Sequence, residues 1–433
     1  MPQSKKKADC GDHIDRITDL PCNVIDGILK HLNIRELVGT SILSRKWRYM
    51  WISVPQLRFD EEFFYMCELH HQGPEISRIM MKVLMHYSGP LYKFTLCLPS
   101  DFMQIDCLDK LIMFLSTSDI KVLELLNLGV ETLSYQMPSY VFSCWELTKF
   151  ELYGFEVSIP PNFCGLKRLL DLQLHLVTFE SGALEKLISG CPSLEKLTIS
   201  FCSGFECIDF SAPTLKVLRI NSEGNNIKTI SLKNAKNLID FTLLDRWDEN
   251  DETVRASCLI QSLPKIRRLV MKTYFYYKIL SAQGAIQQSL LDSLSSLEYL
   301  KFAGTSLCER EGLLYIVSVL PSTPNLVELV IKSYEFADYV DEQESDQLKE
   351  LECDGCCLGQ LRTVRIEIGY RFKYALCLIR LILANCPLLE TLTFKVGGGF
   401  KQLEPLVLFS ISQDLLRMKR ASQKALVEFT QIQ

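Results

Sequence analysis

Twelve copies of the pattern apolar-x-x-apolar-x-apolar lie between Leu91 and Phe394, and they leave the chain few folds to choose from. They are Leu91/Phe94/Leu96, Ile120/Leu123/Leu125, Leu147/Phe150/Leu152, Leu169/Leu172/Leu174, Leu194/Leu197/Ile199 and Leu215/Leu218/Ile220. They continue as Leu238/Phe241/Leu243, Ile266/Leu269/Met271, Leu297/Leu300/Phe302, Leu326/Leu329/Ile331, Leu361/Val364/Ile366 and Leu389/Leu392/Phe394. The second and third apolar positions are two apart, so a strand turns both to one face and its remaining side chains to the other. No unit of this size can hide that apolar face alone, whereas stacked units bury it against one another. One copy would be an accident of a leucine-rich chain; twelve are not.

The copies recur every 21 to 35 residues, with a mean step of about 27, within the range of leucine-rich repeats. Helical or looped apolar segments precede several strands. Leu184 to Ile188 followed by Ser189-Gly190-Cys191-Pro192 is the clearest, and Ala384-Asn385-Cys386-Pro387 repeats its punctuation. The predicted fold class is therefore α/β: an irregular solenoid with a curved parallel sheet on its concave side and helices and loops on its convex side. Composition agrees, with 48% hydrophobic and 23% charged residues. A net charge of −5 and a pI of about 5.8 argue against general nucleic-acid binding. No apolar run approaches the ~18 residues of a membrane span, and the polar opening Met1 to Asp12 does not read as a signal peptide. The 17 cysteines are then reduced core residues of an intracellular protein, in the nucleus and/or cytoplasm. Lys5–Lys7 reads as a solvated tail.

Ahead of the repeats, Asp15 to Trp51 reads as three short helices. Val24, Ile25, Ile28, Leu29 and Leu32 form a helical stripe, with Pro21 expected just inside the helix start. Asn33 and Glu36 predict a capping box for a second helix carrying Leu37, Val38 and Ser41. Ser44 is a third cap, ahead of Trp47, Met50 and Trp51. So small a module cannot bury all this apolar surface by itself, and some is left for a partner. Leu20–Pro21, Ile25, Ile28–Leu29, Leu32, Leu37 and Leu43-Ser44-Arg45-Lys46-Trp47 resemble an F-box. The resemblance implies docking on a Skp-type adaptor of an SCF ubiquitin ligase, and through it on a cullin and a RING subunit. It assigns that role to Leu20, Pro21, Ile25, Ile28, Leu29, Leu32, Leu37 and Trp47. Within this set Leu20, Pro21, Ile28 and Leu32 are expected to form the docking edge, with Trp47 and Trp51 pinning the module to the segment that follows.

Leu361 to Glu367, the run Ala375 to Leu383, Asn385 to Leu392 and Leu416-Arg417-Met418-Lys419-Arg420-Ala421-Ser422 are similar to the FBD module that ends many plant F-box/leucine-rich-repeat proteins. Arg371 to Tyr374 departs from the more acidic linker usual there. The expected organisation is an F-box at 12–55, a connector and N-terminal cap at 56–90, leucine-rich repeats at 91–360 and FBD-like C-terminal repeats and cap at 361–433. The connector holds a strand-like Leu57-Arg58-Phe59-Asp60 and a helical stripe of Ile76, Ile79, Met80, Val83, Leu84 and Tyr87.

Catalytic signatures are missing: no G-x-S-x-G, H-E-x-x-H or phosphate-binding G-x-x-x-x-G-K-[ST] occurs. Gly397-Gly398-Gly399 reads as a turn. Cys353-Asp354-Gly355-Cys356-Cys357 contains one C-x-x-C but no second pair at zinc-site spacing, so it reads as a reduced turn, with no metal and no cofactor. The acidic stretch Asp338 to Asp354 is a solvated insertion in the longest step. The concave face supplies the remaining candidate site. Flanking the inward positions of the later repeats are Arg268, Lys272, Lys301, Lys332, Arg365 and Lys395, against Glu328 and Glu367, with Tyr299 in the same register. This face is expected to receive an acidic or phosphorylated substrate segment, since Arg can bind phosphate through two bonds at once. Three functions fit these expectations: a non-catalytic substrate-recognition adaptor of an SCF-type ligase, a small-ligand receptor of the same architecture, or a repeat scaffold outside any ligase.

Overall fold

The computed structural model describes residues 20–68, 73–100, 107–129, 135–209, 211–222, 227–232, 234–244, 266–272, 294–304, 307, 310–333, 358–369, 373–397 and 404–431. Lys5–Lys7, the acidic stretch Asp338 to Asp354, the cysteines Cys353, Cys356 and Cys357, Arg371, Gly398 and Gly399 lie outside the described residues. The chain divides into two compact units, Met1–Phe155 and Glu156–Gln433.

The first unit opens with helix Cys22–Leu29, helix Ile34–Gly39 and a 3-10 turn Thr40–Ile42. Pro21 is the cap residue rather than the first helical residue, with φ −58° and ψ 144°. Its carbonyl accepts from the Val24 and Ile25 amides. The missing N–H of proline costs nothing at either position, so sequence alone could not separate them. Asn33 and Glu36 do form the capping box: the Glu36 amide donates to Asn33 Oδ1 at 2.9 Å and the Asn33 amide to Glu36 Oε2 at 3.3 Å. The third helix differs from expectation. It is a 3-10 helix, Trp47–Ser53, whose Trp47 amide donates to the Ser44 hydroxyl. Asn33 Nδ2 reaches Glu62 on the following helix Glu61–Glu68, and Gln56 hydrogen-bonds the Lys30 carbonyl. The helix Gly73–His86 bears the stripe from Ile76 to Leu84, with Ile76, Met80 and Leu84 buried, and Tyr87, also buried, follows its end. Strands Gln56–Phe59, Lys93–Leu98, Val122–Asn127 and Lys149–Tyr153 pair in parallel in that order.

Among its described residues the second unit contains ten strands in one parallel series. They are Asp171–His175, Lys196–Ser200, Val217–Asn221, Asp240–Leu244, Arg268–Lys272, Tyr299–Ala303, Glu328–Lys332, Thr363–Ile368, Thr391–Val396 and Leu426–Gln431. Helices Ala183–Ser189, Arg310–Val319, Lys373–Asn385 and Pro405–Arg417 accompany them. In both units all three apolar positions of every repeat are buried, none more than 3% exposed. Cys191 and Cys386, in the two Cys-Pro punctuations, are buried as well, and Cys191 Sγ hydrogen-bonds the Leu187 carbonyl. Burial alone pushes the Cys144 thiol up to about 12, as expected of an inert core cysteine.

Two strands join the sheets besides the twelve of the pattern. Gln56–Phe59 is the strand expected of the connector. Leu426–Gln431 was not anticipated, because Lys424 stands where the others have an upstream leucine or isoleucine. The Arg420–Ser422 turn before it is tied down: the Ser422 hydroxyl donates to the Leu389 carbonyl at 2.7 Å and the Ala421 amide to Leu383 at 2.7 Å.

Candidate functional site

Two surfaces are candidates, one in each unit. The first is the outer face of helix Cys22–Leu29. Spacing of three and four residues places Pro21, Val24 and Ile28 on one face. Pro21 is exposed, Val24 is 42% exposed and Ile28 43% exposed. Leu20 and Leu32 are half-buried. Ile25, Leu29, Leu37 and Trp47 are buried at 1–3% exposure; these four of the eight residues expected to dock instead pack the module and offer a partner no surface. Trp51 is half-buried. Val24, Ile42, Leu43 and Tyr49 are exposed as well, although none is among the residues expected to dock. Val24 had the signal, one helical turn before Ile28.

Beside this module, in the same unit, a polar cleft of about 630 Å³ is lined by Lys30, Asn33, Glu36, Arg58, Glu62 and Lys93, among others. Glu124 lies on its wall, gripped from both neighbouring strands. Lys93 donates at 2.8 Å, Lys149 at 3.2 Å and the Thr95 hydroxyl at 2.9 Å. Burial pushes the Glu124 carboxyl up, but these hydrogen bonds outweigh it and hold the group below its ordinary value of 4.5. A depressed carboxylate stabilises the fold above the unfolded value, and that contribution is lost as pH falls through the lower folded value. Glu124→Gln is therefore expected to cost about 1 kcal/mol at neutral pH and almost nothing in strong acid. Urea midpoints of the two chains that fail to converge below the ordinary carboxylate range would contradict this.

The second surface is the outward face of the later strands. Register places Arg268 beside Tyr299, Lys301 two strands from Arg365 across Val330, and Lys332 beside Glu367 and then Lys395. All seven residues expected on this face are indeed outward and at least partly exposed. The net positive field expected from them is smaller than a count of charges implies, because neighbouring strands neutralise one another. Arg365 pairs with Glu328 at 3.4 Å, Lys332 with Glu367, and Lys395 with Glu367 at 3.9 Å. Arg268 pairs with Asp240 at 3.6 Å and lies 3.6 Å over the Tyr299 ring. Asp240 went unrecognised as a counter-ion, although it holds the same position in its repeat as Arg268. Lys301 makes no ion pair among the described residues. Burial, then Lys332 and Arg268, push its ammonium below its ordinary range against an opposing pull from Glu367. An arriving anion would relieve that strain.

Among the described residues no group of three or more His, Cys, Asp or Glu could hold a metal ion, and no helix is long and apolar enough to cross a membrane. Residues 108–331 match the family model described as the leucine-rich repeats of the FBD-associated F-box protein At5g56370, and residues 17–59 match the F-box domain. The F-box/FBD/LRR-repeat protein At1g13570 of Arabidopsis thaliana is 29% identical, over 97% of this chain and all of its own length. F-box/LRR-repeat protein 13 of the same plant is 26% identical over 97% of this chain and 97% of its own. The FBD-associated F-box protein At4g10400, also from Arabidopsis, is 24% identical over 74% of this chain and 78% of its own.

Proposed function

The chain belongs to the FBD-associated F-box proteins with leucine-rich repeats, and from that premise we propose that it is the substrate-recognition subunit of an SCF-type ubiquitin ligase. F-box domains generally bind Skp-type adaptors. In this reading Pro21, Val24 and Ile28 dock the adaptor, with Leu20 and Leu32 at the margin, and a cullin and a RING subunit follow through it. The repeats hold the protein to be ubiquitinated. The chain performs no covalent chemistry; it supplies proximity and orientation to a conjugating enzyme carried by its partners. It acts within the cell, in the nucleus and/or cytoplasm.

One observation carries the reading: an apolar helix face stands exposed on a module whose other face is core. The substrate end of the proposal rests on Lys301, an outward cation with no ion pair among the described residues, and we assign it an acidic or phosphorylated segment. Affinity purification with the proteasome inhibited tests this end. Wild-type chain and Lys301→Glu should retain ligase subunits equally, while the variant captures roughly tenfold less substrate. Undiminished capture would remove the basic face from the account. The polar cleft in the first unit supports a second reading, a receptor for a small ligand bearing both charges. A chain that never co-purifies with a Skp-type adaptor would instead be a repeat scaffold outside any ligase.

A further inference from the structure

Among the described residues, the strand Leu426–Gln431 ends the sheet of the second unit and pairs only with Thr391–Val396. The Leu426 amide donates to the Glu390 carbonyl at 2.8 Å. Backbone groups alternate sides along a strand, so the N–H and C=O groups of Val427 and Phe429 point away from the sheet. The apolar layer is unfinished here too. Val427 and Phe429 stand in register with Leu392 and Phe394, both fully buried, yet are themselves half-buried. Phe429 stacks on Phe394 with ring centres 5.6 Å apart.

Charge identifies what completes this edge. Among the described residues, each earlier acid on the outward face of the ten-strand series meets a cation on an adjacent strand. Asp171 has Lys196, Asp240 has Arg219 and Arg268, Glu328 has Arg365, and Glu367 has Lys332 and Lys395. Among the described residues Glu428 has only the Thr393 hydroxyl, at 3.4 Å. It lies between Val427 and Phe429, so a complementary strand reads apolar–basic–apolar. We propose that this edge accepts an extended segment of a partner protein with that pattern as an added strand, its Lys or Arg meeting Glu428. The segment supplies backbone partners to Val427 and Phe429 and covers their side chains. A second copy of this chain is a poorer occupant. The strand contains no Lys or Arg, so pairing with itself brings a second carboxylate and no cation.

The test uses the full chain and a fluorescein-labelled peptide with the sequence of residues 361–369, whose Val364-Arg365-Ile366 supplies the pattern. A control peptide carries Arg365→Glu. Fluorescence anisotropy should show the wild-type chain preferring the arginine peptide by roughly five- to tenfold, and Glu428→Lys should reverse the preference. Val427→Pro removes an outward N–H without touching the pairing to Thr391–Val396. It should bind neither peptide while melting with the wild type. The proposal fails if wild type binds neither peptide at millimolar concentration, or if the preference ignores Glu428. It also fails if Val427→Pro binds normally. A wild-type dimer in sedimentation that becomes monomeric in Val427→Pro would assign the edge to a second copy instead.

Discussion

Replacing Ile28 by lysine is expected to abolish capture of a Skp-type adaptor while leaving the chain folded. Ile28 is 43% exposed in the last turn of its helix, where a cation suits the helix dipole. Its removal should therefore change stability by no more than about 0.5 kcal/mol. An apolar anchor at the centre of a docking face carries about 2–4 kcal/mol, so the affinity should fall roughly 30- to 1,000-fold. The neighbouring Leu29 gives the opposite result. It is 1% exposed, and Leu29→Ala should cost about 2–5 kcal/mol of stability. Adaptor affinity, measured on the fraction still folded, should hold. Calorimetric titration alongside thermal melting separates the two cases. Full-strength binding by Ile28→Lys would take the exposed helix face out of the interface.

Phe302→Ala is expected to be the most damaging single change in the second unit. The Phe302 ring is fully buried, in register with Met271 and Ile331 on the strands either side, both buried. Truncating a buried phenylalanine costs about 3–5 kcal/mol, a large share of the ~5–15 kcal/mol that holds a domain together. Each repeat is supported only by its neighbours, so a hole in one weakens its interfaces on both sides. Lys301→Glu, one residue earlier on the opposite face, breaks no ion pair among the described residues and should stay within about 0.5 kcal/mol of wild type. Urea denaturation with far-ultraviolet circular dichroism would show the contrast. Equal midpoints for the two variants would mean the inward and outward assignments of this strand are mistaken.

The two faces of the solenoid were unequally legible. Which side chains turn inward follows from a period of two, and a slip by one residue would have exposed every repeat at once. Burial of Leu300 and Phe302, with Lys301 outward between them, bears that out. The charge balance of the outward face was not legible, because it depends on partners 21 to 37 residues away. Glu328 and Arg365 belong to different repeats, and only the register of adjacent strands brings them within 3.4 Å. The same holds for Asp240 between Arg219 and Arg268. In the helical module the apolar stripe was visible, but its width hid the division between core and surface. Ile25 and Leu29 face inward and Ile28 outward.

By itself the sequence determined the repeat and its inward residues, the helix-capping box at Asn33 and Glu36, and the resemblance to an F-box joined to an FBD. These are local properties, written in spacings of two, three or four residues and in side chains that bond their own backbone. The tertiary structure alone decided which apolar residues near the N-terminus remain on the surface and which charges cancel. It also revealed the last strand, Leu426–Gln431, whose alternation lacks the upstream apolar residue of the other repeats. Each of these depends on which segments, distant in the chain, lie about 4.8 Å apart across a sheet, a distance that only the folded register sets.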